Sequence, residues 1–241
     1  MKRIAAAILA LGLIVLVALF ASTPSVRTAP QIVRAQVLAH VAVVGGEPPP
    51  RFVTALTATE DQRFFWAIDP GVDPVAVLRV AYESLAGQRG DLGGSTITQQ
   101  LAKMLYGPSH PGLRGKFDQV MLALKLSFAF PKRQILQMYS EVAYYGDGYY
   151  GLRAASCGYF GKPPQELSWR QAATLAGAVN APSADDPRRH RSQSERRTAH
   201  VFDRLVAVGA LSRPQAEAEQ RASLGLVPRD KAGCPSGEQS E

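Results

Sequence analysis

Glu60-Asp61 and the downstream run Gly93-Gly94-Ser95-Thr96-Ile97-Thr98-Gln99-Gln100-Leu101-Ala102-Lys103 are the residues of this chain whose types and spacing best suit chemistry. Glu60 is followed by Phe64, Phe65 and Trp66, an apolar neighbourhood of the kind in which a carboxylate can work as a general base. In the second run two glycines leave a turn with free backbone geometry, and Thr96 with Gln99 fits the Ser/Thr-x-x-Glu/Gln box that opens a helix. The spacing therefore predicts a helix starting near Ser95 or Thr96. On it Thr96, Gln100 and Lys103 share one face, while Ile97, Leu101 and Leu105 share another. The polar face offers a hydroxyl, an amide and an ammonium. Backbone N–H groups at a helix start attract anions, and the lysine adds a compact positive charge suited to phosphate. A lone Glu-Asp pair is ordinary solvated surface, and any three residues of the run could belong to a capped surface helix. The length of the run, coupled to the upstream acid, favours an acid-and-anion site.

The elements that must position these residues read as helices. Apolar spacing predicts helix from Phe52 to about Phe65, from Pro74 to Leu85 and from 95 to 106, where Gly107-Pro108 stops it. Further helices are expected from Lys116 to Phe130 and from Pro131 to Tyr144. After the turn Gly146-Asp147-Gly148 come Gly151 to Phe160, Trp169 to Val179 headed by the box Ser168/Gln171, Arg188 to Gly209 and Pro214 to Arg221. Strand-like alternation is scarce, so the expected fold class is all-α.

Met1-Lys2-Arg3 precedes an uncharged apolar stretch, Ile4 to Ala21, long enough for a membrane span. Lys2 and Arg3 would stay in the cytoplasm and everything after Ala21 outside. A cleaved signal peptide is the alternative, since Ala21-Ser22-Thr23 offers small residues. The expected organisation is an anchor over 4–21, a linker over 22–50 with helical character between Ile32 and Val43, a domain over 51–222 and a disordered polar tail over 223–241. With 46% hydrophobic and 20% charged residues the chain can bury a core, and its net charge of +7 suits an anionic partner. An exported, anchored domain would not meet nucleic acid. Cys157 reads as a small core filler and Cys234 as part of the polar tail, so no bond between them is expected, nor a cysteine-based metal site.

Glu60-Asp61 with Phe64, and Gly93 to Lys103, resemble the first two signature motifs of the peptidoglycan glycosyltransferases of glycosyltransferase family 51. Further resemblance is carried by Tyr139 with Gly146, Gly151, Ala154-Ala155, Tyr159 to Lys162, Leu167, Ala172-Ala173, Leu175 to Gly177, Ala181 to Ser183 and Asp186-Pro187, about residues 50 to 210. The resemblance implies a lysozyme-like helical domain behind a membrane helix, facing the outside of a bacterial inner membrane. It implies polymerisation of lipid II into glycan strands by inverting transfer, with partners among other cell-wall synthesis proteins. The chain ends soon after the helical domain, which implies a monofunctional type without a transpeptidase domain. By resemblance, Glu60 is the general base and Asp61 supports it; Phe64, Gly94, Ser95, Thr96, Gln99, Gln100, Lys103, Arg114 and Lys116 complete the substrate site.

Several positions depart from the family pattern. After Phe64 the family continues to a histidine and Gly-x-Asp, whereas here Trp66 to Pro70 precede Gly71-Val72-Asp73. The family's Lys-Asn pair is Lys103-Met104, and its Tyr-Leu-Asn is Tyr139-Ser140-Glu141. In the third motif, Arg-Lys-x-x-Glu, the lysine falls on Lys116, the arginine position on Gly115 and the second acid on Gln119, with Arg114 and Asp118 each one residue early. One position turns a side chain by about 100° around a helix, so neither is a simple substitute. Gln119 keeps the size of glutamate without its charge. Alongside polymerisation two other functions stay open: a catalytically weakened relative that binds glycan or precursor and regulates other enzymes, and a glycan-cleaving enzyme on the same architecture. A divalent cation, magnesium or manganese, stays open as cofactor.

Overall fold

The computed structural model describes residues 20–40, 45–66, 70–73, 95–107 and 112–234, together with residues 3, 10–12, 14, 17–18 and 110. Its elements are helices α1 (Ala29–Leu38), α2 (Pro50–Glu60), α3 (Ile97–Tyr106), α4 (Gly112–Ala129), α5 (Lys132–Val142), α6 (Leu152–Phe160), α7 (Trp169–Ala178), α8 (Arg191–Ala207) and α9 (Arg213–Arg221). Short 3₁₀ turns lie at Pro164–Glu166 and Arg229–Lys231. Among the described residues the only β pairing is an isolated antiparallel bridge between Tyr144 and Tyr150, so the all-α expectation holds. The helix expected from Pro74 to Leu85 lies outside the described residues, as does most of Ile4 to Ala21. Among the described residues no helix is long and apolar enough to cross a membrane.

Two groups of helices meet in one core. In the first, α2, α7 and α8 pack against one another; in the second, α3 packs on α4 and α5, and α1 on α5. Phe52 and Leu56 of α2, Leu175 of α7 and Phe202 of α8 join Ile97 and Leu101 of α3, Leu126 of α4 and Ile135 of α5 in one buried cluster. Burying each such side chain contributes about 1.5–3 kcal/mol. Glu60 ends a helix of the first group and Gln100 belongs to the second. The seam between the groups is where the predicted site residues come together.

Three expectations are corrected. The segment expected as a linker contains α1, whose Ala29, Val33 and Val37 enter the core, while Gln36 Nε2 donates to the Met104 carbonyl at 3.2 Å. Its apolar residues recur at helical spacing and so pack rather than tether. Pro48-Pro49-Pro50 lead directly into α2, where Pro50 takes a first-turn position whose N–H would be unpaired in any case. The helix then stops at Glu60, earlier than the expected Phe65, because Asp61 turns to φ −157°, ψ 73°.

The third correction concerns the tail and the cysteines. Residues 223–234 lie back over α6: Val227 N–H donates to the Tyr159 carbonyl at 2.8 Å, Gly233 N–H to the Cys157 carbonyl at 3.1 Å, and Cys157 is disulfide-bonded to Cys234. Arg188 Nη2 donates to the Val227 carbonyl at 2.8 Å and Gln171 Nε2 to that of Leu224 at 3.0 Å. The segment is thus ordered by backbone bonds, a crosslink and the packing of Leu224 and Leu226 against the core, contacts too sparse for its composition to reveal. Residues 235–241 lie outside the described residues.

Candidate active site

α2 delivers Glu60 at its last turn, and the next residue joins the two helix groups. Asp61 Oδ2 accepts the backbone N–H of Ile97, the first residue of α3, at 3.1 Å. At the same helix start Thr96 Oγ1 accepts from the Gln99 N–H at 3.2 Å and donates to the Gly71 carbonyl at 2.7 Å. These contacts satisfy first-turn donors that have no partner within the helix. They also set the phase of α3, burying Ile97 and Leu101 and turning Gln100 and Lys103 outward.

The result is a cleft of about 900 Å³ lined by Glu60, Ser95, Gln99, Gln100, Lys103, Lys116, Gln119, Tyr139, Tyr144, Asn180 and Arg197 among others. Among the described residues Glu60 is its one acidic lining residue, and Lys103, Lys116 and Arg197 are its cationic ones. The Glu60 carboxylate is 6% exposed and both of its oxygens are engaged. Oε2 accepts from Gln100 Nε2 at 3.2 Å and Oε1 from Arg197 Nη2 at 2.7 Å. Gln100 Oε1 in turn accepts the Tyr139 O–H at 2.9 Å. Burial, with the Glu60 charge adding to it, pushes the Tyr139 phenol well above its ordinary value, so Tyr139 stays a neutral donor.

Of the residues predicted for the site, Glu60, Ser95, Gln99, Gln100, Lys103, Lys116 and Gln119 line this cleft. Asp61 and Thr96 are buried at the α3 start and act on its position. Phe64 is fully buried, with the Lys132 ammonium 4.6 Å from its ring centroid, and packs behind the site. Arg114 is solvent-exposed on the first turn of α4, away from the cleft lining. Gly94 lies outside the described residues.

The one-residue offset in the third motif also has a structural cause. Asp118 is buried and its Oδ2 lies 2.8 Å from His110 Nδ1, so this acid is committed away from the cleft that its neighbour Gln119 lines. A Cβ on Gly115 would lie 1.9 Å from the His110 carbonyl oxygen, so no side chain fits at the position where the family carries arginine. His110 thus lies over Gly115 and Asp118 of the first turns of α4.

Arg197, Asn180 and Tyr144 were not anticipated. Arg197 carries a faint signal: it falls on the same stripe of α8 as buried Ser194, Val201 and Leu205, where a charge is out of place unless paired. Asn180 and Tyr144 come from loops and show no periodicity to read.

The comparisons with known proteins agree with this geometry. A family model described as Transglycosylase matches residues 32–206. Penicillin-binding protein 1C of Escherichia coli K12 is 38% identical over 180 residues, 75% of this chain and 23% of its own length. Penicillin-binding protein 1A of Aquifex aeolicus is 38% identical over 183 residues, 76% of this chain and 25% of its own. A Cupriavidus necator protein described as a transglycosylase is 32% identical over 168 residues, 70% of this chain and 71% of its own. The chain spans about a quarter of the two penicillin-binding proteins it matches. With the family model covering most of its length and Glu60, Gln100 and Lys103 lining one cleft, the chain belongs to the transglycosylase family.

Proposed function

We propose that the chain is a peptidoglycan glycosyltransferase that polymerises lipid II into glycan strands by inverting transfer from a lipid diphosphate. The observation that carries this is the opposition, in one cleft, of the Glu60 carboxylate to Lys103, Lys116 and Arg197. Joining two sugars from such a donor needs a base for the acceptor hydroxyl and cations for the departing diphosphate. Cleavage of a neutral glycan needs an acid but no such cationic wall, which disfavours the glycan-cleaving alternative.

Among the described residues no site is built that would hold magnesium or manganese by protein ligands alone. Such an ion takes one or two carboxylates beside substrate phosphates and water; Glu60 is the single lining carboxylate among the described residues, both of its oxygens hold protein donors, and the remaining charged lining groups are cations. No group of three His, Cys, Asp or Glu suited to a metal occurs among the described residues. The side chains on hand for the leaving diphosphate are Lys103, Lys116 and Arg197.

A second function is favoured by Gln119: with an amide where the family has its second acid, the cleft can bind lipid-linked precursor or glycan and regulate other cell-wall synthesis proteins without turning over. Incubating the full chain with lipid-linked disaccharide and resolving polymer from monomer decides between them. Polymer from the wild type, lost in Glu60→Gln with precursor binding retained, supports the polymerase. Tight binding with no polymer supports the regulator. Weaker precursor binding in Lys103→Ala than in Lys162→Ala, whose lysine lies outside the cleft lining, is expected under either. We also place the domain outside the cytoplasm, held at the membrane by Ile4 to Ala21, since a lipid-borne substrate rewards a high local concentration at the bilayer. Mature protein starting near Ser22 in a soluble fraction would contradict that anchor.

A further inference from the structure

A general base takes the acceptor's proton, and each oxygen of Glu60 keeps a lone-pair site beside the one donor it holds. A guanidinium charge held against one of those oxygens makes the carboxylate a weaker base, so its release would favour the proton transfer. Gln100 is fixed from three sides: its Nε2 reaches Glu60 at 3.2 Å and the Ser95 carbonyl at 3.4 Å, and its Oε1 accepts from Tyr139 at 2.9 Å. Arg197 makes the shorter, charge-assisted contact, but it does so from the open side of the cleft. Its Nε donates to the Gly177 carbonyl at 3.2 Å, its Nη2 meets only one Glu60 oxygen, and its side chain is 23% exposed on the cleft. A guanidinium fork matches diphosphate oxygens better than a single carboxylate contact.

We infer that Arg197 exchanges partners: it neutralises Glu60 before the donor binds and turns to the donor's diphosphate when it arrives, leaving Oε1 a stronger base for the acceptor. The inference rests on the glycosyl-transfer function proposed above. In the reacting complex the hydroxyl proton passes to Glu60 Oε1 and the acceptor oxygen bonds to the anomeric carbon. The bond from that carbon to the diphosphate oxygen breaks, its electron pair leaving with the diphosphate, and Arg197, Lys103 and Lys116 meet the charge. The other groups facing the pair are Tyr139 of α5, neutral, and Asp185 of the loop after α7, whose carboxyl is raised by burial and drawn back by the Arg197 charge.

Binding of the lipid-linked disaccharide diphosphate to the full chain in detergent, measured across Glu60→Gln, Arg197→Gln and the double variant, tests the exchange. If Arg197 must leave Glu60 to bind diphosphate, Glu60→Gln tightens binding roughly tenfold with Arg197 present and leaves it within about twofold in the Arg197→Gln background. Simple repulsion between carboxylate and diphosphate tightens both backgrounds equally, and that outcome would overturn the exchange. Should Arg197→Gln fold poorly, Arg197→Lys keeps the charge without the fork and is expected to lose most of the coupling; full coupling in it would overturn the exchange. Kinetics add an independent readout, since kcat/KM reports the free enzyme and kcat the complex. Loss of the Arg197 charge should move the acid limb of kcat/KM to higher pH and leave that of kcat in place. Both limbs moving together would mean that Arg197 stays on Glu60 through turnover. A wild type that binds but forms no polymer sinks the polymerase function alone, because the binding cycle reports the exchange without turnover.

Discussion

The Asp61 carboxylate accepts the Ile97 backbone N–H across 36 residues of sequence at 3.1 Å, locking the end of α2 to the start of α3. Glu60 faces the cleft, and its neighbour Asp61 anchors the helix that carries Gln100 and Lys103. The adjacent acids therefore divide the work: one is aimed at substrate and the other fixes the distance between the base and the residues opposite it.

Asp61→Ala should consequently cost about 1–3 kcal/mol of stability, since it leaves a buried N–H without its acceptor, and should reduce turnover more than precursor binding. Asp61→Asn keeps an acceptor oxygen and should recover most of both. Urea unfolding beside a polymerisation assay checks this. Equal losses in the alanine and asparagine variants would show that the charge, not the acceptor, is what α3 needs.

What could be read from residues was local. The Thr96 cap and the two faces of α3 follow from spacing within a single helix, and the structure places Ile97, Gln100 and Lys103 as that spacing predicts. The Arg197–Glu60 pair joins residues 137 apart, and the stripe that marks Arg197 on α8 does not say which acid it meets. The Cys157–Cys234 bond escaped notice because residues 223–234 are largely polar and glycine-bearing, and their order comes from backbone bonds to α6 and the packing of Leu224 and Leu226. The seating of His110 over Asp118 and Gly115 depends on a carbonyl oxygen, which side-chain pattern cannot report.

The disulfide closes a loop of 77 residues in sequence separation, and a loop of that length restrains the unfolded chain by about 4 kcal/mol in the chain-entropy picture. Cys234→Ser should lower unfolding stability by about 2–5 kcal/mol, and reductant should lower the wild type but not the variant. Identical urea midpoints for the two proteins, with and without reductant, would show that the bond adds nothing to the backbone contacts of residues 223–234.

Glu141 is buried where the family carries asparagine. Burial raises its carboxyl above the ordinary value, only partly offset by the Gln137 amide at 3.1 Å. Between the model-compound value of 4.5 and the raised folded one, the folded chain keeps a proton that the unfolded chain has released. Stability therefore falls as pH rises through this window, and the full penalty persists above it. Glu141→Gln should be more stable than wild type at neutral pH and converge with it below the unfolded value. Thermal unfolding at several pH values measures this; a variant less stable at neutral pH would mean that the carboxylate has a partner worth more than its desolvation.

Gln119 faces the same cleft as Glu60, Lys103 and Lys116, while the carboxylate one residue earlier is turned to His110. Restoring an acid at 119 keeps side-chain size and adds a charge where the cleft already holds an excess of cations, so Gln119→Glu should fold as the wild type does. If the second acid helps seat the donor, turnover should rise, each tenfold gain corresponding to about 1.4 kcal/mol of transition-state stabilisation. The new carboxylate would also give the cleft a second oxygen donor for a divalent cation, so added magnesium or manganese should stimulate Gln119→Glu more than the wild type. Polymerisation rates of the two proteins with and without metal measure both effects. An unchanged rate in a folded variant would show that the seating of His110 over α4, and not the missing charge alone, separates this cleft from an efficient polymerase, and the precursor-binding regulator would then be the better account.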